Sequence, residues 1–121
     1  MEFNFEKLIA WQKARKWVKD IYLLTQGFPN DERFGLTNQI RRAAISVASN
    51  LAEGNSRQSN KDRARFSNMA YSSLMESFNQ CILAYDLKYI SHLELQTLRK
   101  TSNELARLIS GLRNSYLRQK S

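Results

Sequence analysis

The sequence predicts an all-α fold, an antiparallel up-down-up-down four-helix bundle, and three observations carry that expectation. Glycine and proline together supply only 5 of 121 residues, about 4% where roughly 12% is usual, which leaves little room for hairpins. Four blocks of apolar residues recur at helical spacing. The rare breakers fall between those blocks, at Gly27-Phe28-Pro29 and Gly54, which argues against one long coiled coil. At 42% hydrophobic content, residues 1–121 read as a single domain able to bury a core.

The first helix is expected from about Phe5 to Gln26. Trp11, Val18 and Thr25 recur every seven residues, with Ala14 and Ile21 between them, the seam of an amphipathic bundle helix. Ala10, Trp17 and Leu24 form a second apolar line, wider than one partner helix needs. Gly27 suits a left-handed cap and Pro29 cannot continue the helix. The second helix spans about Leu36 to Glu53 and ends at Gly54. Leu36, Ile40, Ala43, Val47 and Leu51 make its stripe, and the small residues Ala44, Ser46, Ala48, Ser49 and Ala52 suit close packing. On so crowded a helix the polar groups of Arg41, Arg42, Asn50 and Glu53 need partners.

Ser59-Asn60-Lys61-Asp62 has the form of a capping box, with Asp in the place of Glu or Gln, and opens a third helix running to about Lys88. One stripe holds Phe66, Ala70, Leu74, Phe78, Cys81 and Tyr85. Another holds Met69, Ser73, Glu76, Gln80, Ala84 and Leu87. Ser91-His92-Leu93-Glu94 is a cleaner box. After it Leu95, Leu98, Ser102, Leu105, Ile109, Leu112 and Tyr116 alternate spacings of three and four, the strongest periodicity in the chain. Beyond Leu117 fraying is expected.

Composition excludes several function classes. One cysteine, Cys81, permits no internal disulfide and no multi-cysteine metal site, which suits a reducing cytoplasm. The segment from Met1 to Lys7 lacks the apolar core of a signal peptide, and no apolar run approaches the length of a membrane span. The lone histidine, His92, rules out the paired Glu-x-x-His sites of helical di-iron proteins. Cys81 reads as a packed thiol, and Glu53 and Glu76 as hydrogen-bond anchors or ion-pair partners as readily as acid–base groups. No nucleophile–base–orienter set assembles, so the expectation is a non-enzymatic protein without a cofactor.

Nineteen Lys and Arg against 11 Asp and Glu leave a net charge of +8, which points to polyanions. Residues 29–54 carry three charges of each sign, whereas residues 91–121 carry six cations and two anions. In an up-down bundle the start of the first helix, the 54–60 loop and the end of the fourth helix share one pole. Arg57, Lys61, Arg63 and Arg65 surround the loop into the third helix, and Lys7, Arg57, Lys61, Arg63, Arg113, Arg118 and Lys120 are expected to converge at that pole as a phosphate-attracting end. A solvated surface that serves solubility is the competing reading. No base-reading motif accompanies the charge, so binding of RNA or DNA would be independent of sequence or set by shape.

The string Gln39-Ile40-Arg41-Arg42-Ala43-Ala44-Ile45-Ser46-Val47-Ala48-Ser49-Asn50-Leu51-Ala52-Glu53-Gly54 resembles the four-helix proteins encoded in intervening sequences of bacterial 23S ribosomal RNA genes. It is similar also to the accessory proteins of diversity-generating retroelements. Flanking matches are Leu8 with Trp11-Gln12-Lys13-Ala14, Phe28-Pro29 with Glu32, Gly35-Leu36-Thr37, and Phe66 with Ala70, Ser73 and Glu76. Ser72 and Ala48 depart from a common glycine and a frequent proline. The resemblance implies a homopentamer with a basic, nucleic-acid-binding surface and, for the retroelement relatives, a reverse transcriptase partner. Some members carry a ribosomal label. It implies further that Arg41, Arg42, Asn50 and Glu53 form a polar signature tying the second helix to the third near Glu76, or to a neighbouring subunit. The line Ala10, Trp17 and Leu24 would then be subunit interface. A protein-assembly scaffold without nucleic-acid binding, such as a reverse transcriptase accessory subunit, is the alternative function.

Overall fold

The computed structural model describes residues 1–119, which form four helices and no strand. These are α1 (Ile9–Thr25), α2 (Leu36–Asn55), α3 (Asn60–Asp86) and α4 (His92–Arg118), with short 3-10 turns at Asn4–Lys7 and Asn30–Glu32. Both α1 and α3 pack against α2 and α4, so α1 and α3 face each other across the bundle diagonal. Asn55 donates to the Tyr116 hydroxyl at 3.3 Å at one pole, and the rings of Phe28 and Tyr89 lie 5.4 Å apart at the other. The chain thus reverses at alternate poles, up and down. Among the described residues no helix is long and apolar enough to cross a membrane.

The first helix begins later than its periodicity suggests. Asn4–Lys7 forms a separate 3-10 turn, closed where the Phe3 amide donates to Glu6 Oε2 at 2.7 Å. Leu8 is extended and separates that turn from α1. The buried line of α1 is Ala10, Ala14, Trp17, Ile21 and Thr25, with Trp11, Val18 and Leu24 half-buried on its flanks. This corrects the expected subunit interface. Trp17 is 0% exposed, its indole N–H donating to Ser77 Oγ at 3.0 Å across the diagonal. A helix touching two neighbours and a diagonal partner needs a wide apolar face, and the second line fills that need within one chain.

Ile40, Ala44, Val47 and Leu51 bring α2 into the core. Gly54 does not end α2 but lies inside it, packed against α3. A Cβ there would fall 2.6 Å from Phe66 Cβ and 3.4 Å from the Arg63 carbonyl oxygen, so only glycine allows this approach. Gly27 likewise departs from expectation, because no glycine has a positive φ. Successive tight turns close α1 instead, the amides of Gly27 and Phe28 donating to the carbonyls of Leu24 and Thr25.

The core line of α3 keeps Phe66, Ala70, Leu74 and Cys81 of the first expected stripe and adds Ser67, Ser77 and Ala84. Met69, Glu76, Tyr85 and Leu87 are exposed. At the start of α3 only half a capping box forms. Ser59 Oγ accepts from the Asp62 amide at 3.1 Å, but the Asp62 carboxylate turns to arginines. Ser91 and Glu94 at α4 make both halves. The end of α3 needs a left-handed residue, and Lys88 supplies it at φ 66°. Its amide donates to the Tyr85 carbonyl, and the Tyr89 amide to that of Ala84, both at 2.9 Å, the paired bonds of a Schellman cap.

Two stability measurements check these assignments. Gly54→Ala should cost about 1–3 kcal/mol in urea unfolding, since Phe66 and α3 must retreat from the new methyl. Lys88→Gly should gain about 0.5–1 kcal/mol, by removing the left-handed strain of an L-residue at an exposed cap.

Candidate nucleic-acid interface

One pole is assembled from three stretches of chain. Asn4 Nδ2 donates to Asn55 Oδ1 at 3.1 Å and docks the N-terminal turn, which carries Lys7, on the end of α2. Asn60 Nδ2 donates to the Gln119 carbonyl at 3.3 Å and brings the start of α3 to the end of α4. Arg63 shapes the loop between α2 and α3. Its Nε donates to the Arg57 carbonyl at 2.7 Å, and its guanidinium donates to Asn60 Oδ1 at 2.8 Å and faces the Tyr116 ring. Of the expected contact residues, Arg63 is thus committed to holding the loop.

Arg57 and Arg65 both lie over the Phe66 ring, 4.5 and 4.8 Å from its centre. Both also reach Asp62, Arg57 at 3.7 Å and Arg65 at 3.0 Å. Such pairs in solvent hold little energy, and the two guanidiniums keep exposed edges. Lys61 is exposed. With Arg65, Asn68 and Leu117 it lines a groove of ≈ 440 Å³ between the first turns of α3 and the last turn of α4. Arg113 joins the two helices, donating to Asn68 Oδ1 at 3.4 Å and to Asn114 Oδ1 at 3.0 Å. Arg118 is exposed in the last turn of α4, and Lys120 lies outside the described residues. The arrangement offers several guanidinium and ammonium donors from one end of the molecule, a chemistry suited to phosphate oxygens.

The polar signature divides between two neighbours. Arg41 ties α2 to α1 and not to α3. Its Nε donates to Thr25 Oγ1 at 2.8 Å, and its guanidinium lies 4.4 Å from the centre of the Tyr22 ring. Asn50 donates to the Ser46 carbonyl and hydroxyl. Ser46 in turn accepts from the Ser73 hydroxyl at 3.0 Å, and this serine pair is the polar link between α2 and α3. Arg42 and Glu76 are exposed and line a groove between these helices with Phe34, Asn38, Gln39 and Ser46. Glu53 is exposed near Phe3 and Phe5. Small residues on α2 signalled a close approach, but which serines meet depends on register.

Sequence reasoning also missed a clasp at the opposite pole. Glu32 Oε1 accepts from the Leu36 amide at 3.1 Å, a carboxylate at the positive end of α2. Its Oε2 accepts from the Tyr89 hydroxyl at 2.8 Å, and this bond holds the phenol above its ordinary pKa. The spacing of Glu32 before Leu36 was a signal for the cap, whereas Tyr89 is distant in sequence.

Burial pushes the Cys81 thiol up to about 12, so it stays protonated and unreactive near neutral pH. Among the described residues no three metal-binding side chains cluster. His92 is exposed at the start of α4, 3.2 Å from Gln96, and adjoins the Tyr85 ring.

The fold has a solved counterpart. A protein of unknown function from the S23 ribosomal protein family of Bacteroides thetaiotaomicron superposes with a TM-score of 0.80 at 21% identity, covering 88% of this chain and 96% of that one. At that identity the likeness concerns the fold. No curated protein sequence matches this chain significantly. The family described as 23S rRNA-intervening sequence protein matches residues 6–111, a span that runs from the N-terminal turn through most of α4. This chain belongs to the 23S rRNA-intervening sequence protein family.

Proposed function

We propose that this chain is a non-catalytic nucleic-acid-binding protein that holds a phosphodiester backbone at its basic pole. The observation that supports the reading is convergence. Arg57, Lys61, Arg65, Arg113 and Arg118 come from separate stretches of chain and meet where α3 begins and α4 ends. The carboxylates nearby are Asp62, already shared by two arginines, Glu53, and Glu6 of the N-terminal turn, which accepts from the Phe3 amide. The family's link to a ribosomal RNA gene makes RNA the first ligand to test, and the single buried thiol of Cys81 suits a reducing, cytoplasmic setting.

Binding of a structured RNA should weaken steeply with salt, and the double variant Lys61→Glu with Arg65→Glu should lower the log–log salt slope by about 2. Filter retention between 50 and 200 mM salt, roughly the range over which such contacts are lost, measures this. Retention that is absent or insensitive to salt would favour the assembly scaffold.

A specific observation also supports self-association. Phe34 is 85% exposed and sits beside the α2–α3 groove that holds Arg42 and Glu76. An aromatic ring and an unpaired cation and anion on one face suit a protein contact. The face replaces the buried Trp17 line as the candidate surface for the pentamer that the resemblance implies. Light scattering at micromolar concentration should report an oligomer, and Phe34→Ser with Arg42→Glu should reduce it to the monomer. A monomeric parent protein would refute the reading.

A further inference from the structure

We propose that the phosphodiester-binding surface continues from the pole along the outer α3–α4 groove, with Arg107 and Arg99 as its added cations. The inference rests on the nucleic-acid reading above and extends it to residues that the charge clusters of the sequence do not mark.

Three observations carry it. First, the groove at the pole has a successor. Farther along the same two helices a second groove of ≈ 470 Å³ is lined by Tyr71, Asn103, Arg107, Ser110, Gly111 and Asn114. Arg113 joins the two grooves, since it donates to Asn68 in the first and Asn114 in the second. One helical step beyond, the Arg99 guanidinium lies 5.0 Å from the centre of the Phe78 ring, on the same α3–α4 side.

Second, among the described residues this second groove is lined by no carboxylate. Glu104 faces α1 and pairs with Lys13 at 3.7 Å. Glu76 lines the α2–α3 groove, Glu94 caps its own helix, and Asp86 lies at the last turn of α3. Apart from Asp62 at the pole, the face is cationic and amide-rich.

Third, its side chains are the ones that contact backbones. Asparagine amides, a serine and a tyrosine hydroxyl with arginines are typical donors to phosphate and sugar oxygens. Gly111 has open space where a Cβ would stand, which lets a strand lie close. From Lys61 to Phe78 the strip runs about 25 Å at the helical rise. That spans several consecutive phosphates of one strand. A compact phosphate ligand would need only the pole. A strip of this length, with Asp62 at the pole as its carboxylate and arginines along the rest, fits a polymer.

The test uses the full chain and fluorescence anisotropy with two probes, a single-stranded RNA and the same sequence in a duplex, over a range of salt. Arg99→Gln with Arg107→Gln should lower the slope of log affinity against log salt by about 2. Lys16→Gln with Lys19→Gln removes the same net charge from α1 and should leave the slope unchanged. Far-UV circular dichroism reports folding. Should the double variant lose helicity, Arg107→Gln alone, on an exposed position, should lower the slope by about 1. A loss confined to the duplex assigns the strip to paired nucleic acid, and a loss confined to the single strand assigns it to an extended chain. Equal effects from the α1 variant would overturn the proposal, as would unchanged binding by the Arg99 and Arg107 variant while the parent binds normally. The latter result would leave the pole reading intact. No binding by the parent protein would overturn both.

Discussion

Phe66 lies against the bare face of Gly54, where even one methyl would fall 2.6 Å from the phenylalanine Cβ. Much of the basic pole depends on that approach. It lets α2 end directly beside the first turns of α3, so the connecting segment, residues 56–59, is short enough for Arg63 to close it. It also turns the outer face of Phe66 toward Arg57 and Arg65, which lie over the ring and share Asp62. Small residues at a helix contact do more here than tighten packing. They seat an aromatic ring, and the ring orders cations that would otherwise sweep through solvent.

A second polar contact sets the interior. The Trp17 indole spans the diagonal to reach Ser77, and both are fully buried. A buried N–H left unpaired costs roughly 1–3 kcal/mol, so the serine hydroxyl makes tryptophan acceptable at the centre. The arrangement also specifies register, because a shift of one residue on α1 or α3 would strand the donor. The two poles are then stabilised differently. One is held by Glu32, which caps α2 and accepts from Tyr89. The other is held by Arg63 and a chain of asparagine amides, which leaves its remaining cations outward.

Much of the architecture was legible in residue spacing. The strict three–four alternation of α4 placed its buried face, and the Ser91–Glu94 box marked its first turn. The four-block division followed from how few breakers the chain contains. Legibility failed where a residue's meaning depends on a distant partner. Ala10, Trp17 and Leu24 read as surplus apolar surface because nothing local reveals Ser77. Gly54 read as a terminator because its packing role needs Phe66. Arg63 read as one more free cation, although its donors are consumed by the loop. Arg99, Arg107 and the asparagines of α3 and α4 drew no notice, since each is unremarkable until two antiparallel helices set them in one groove.

Local physics explains this boundary. Helix identity, the apolar stripes, the two serine caps and the excess of eight positive charges are properties of neighbours within a few residues, so the sequence by itself determined them, and with them the family. Which apolar line faces inward, which glycine permits contact, and which arginines remain available are properties of pairs far apart along the chain. Only the tertiary structure decided these, because side-chain register between antiparallel helices arises when they pack. The same packing turned a scattered positive charge into a pole and a strip.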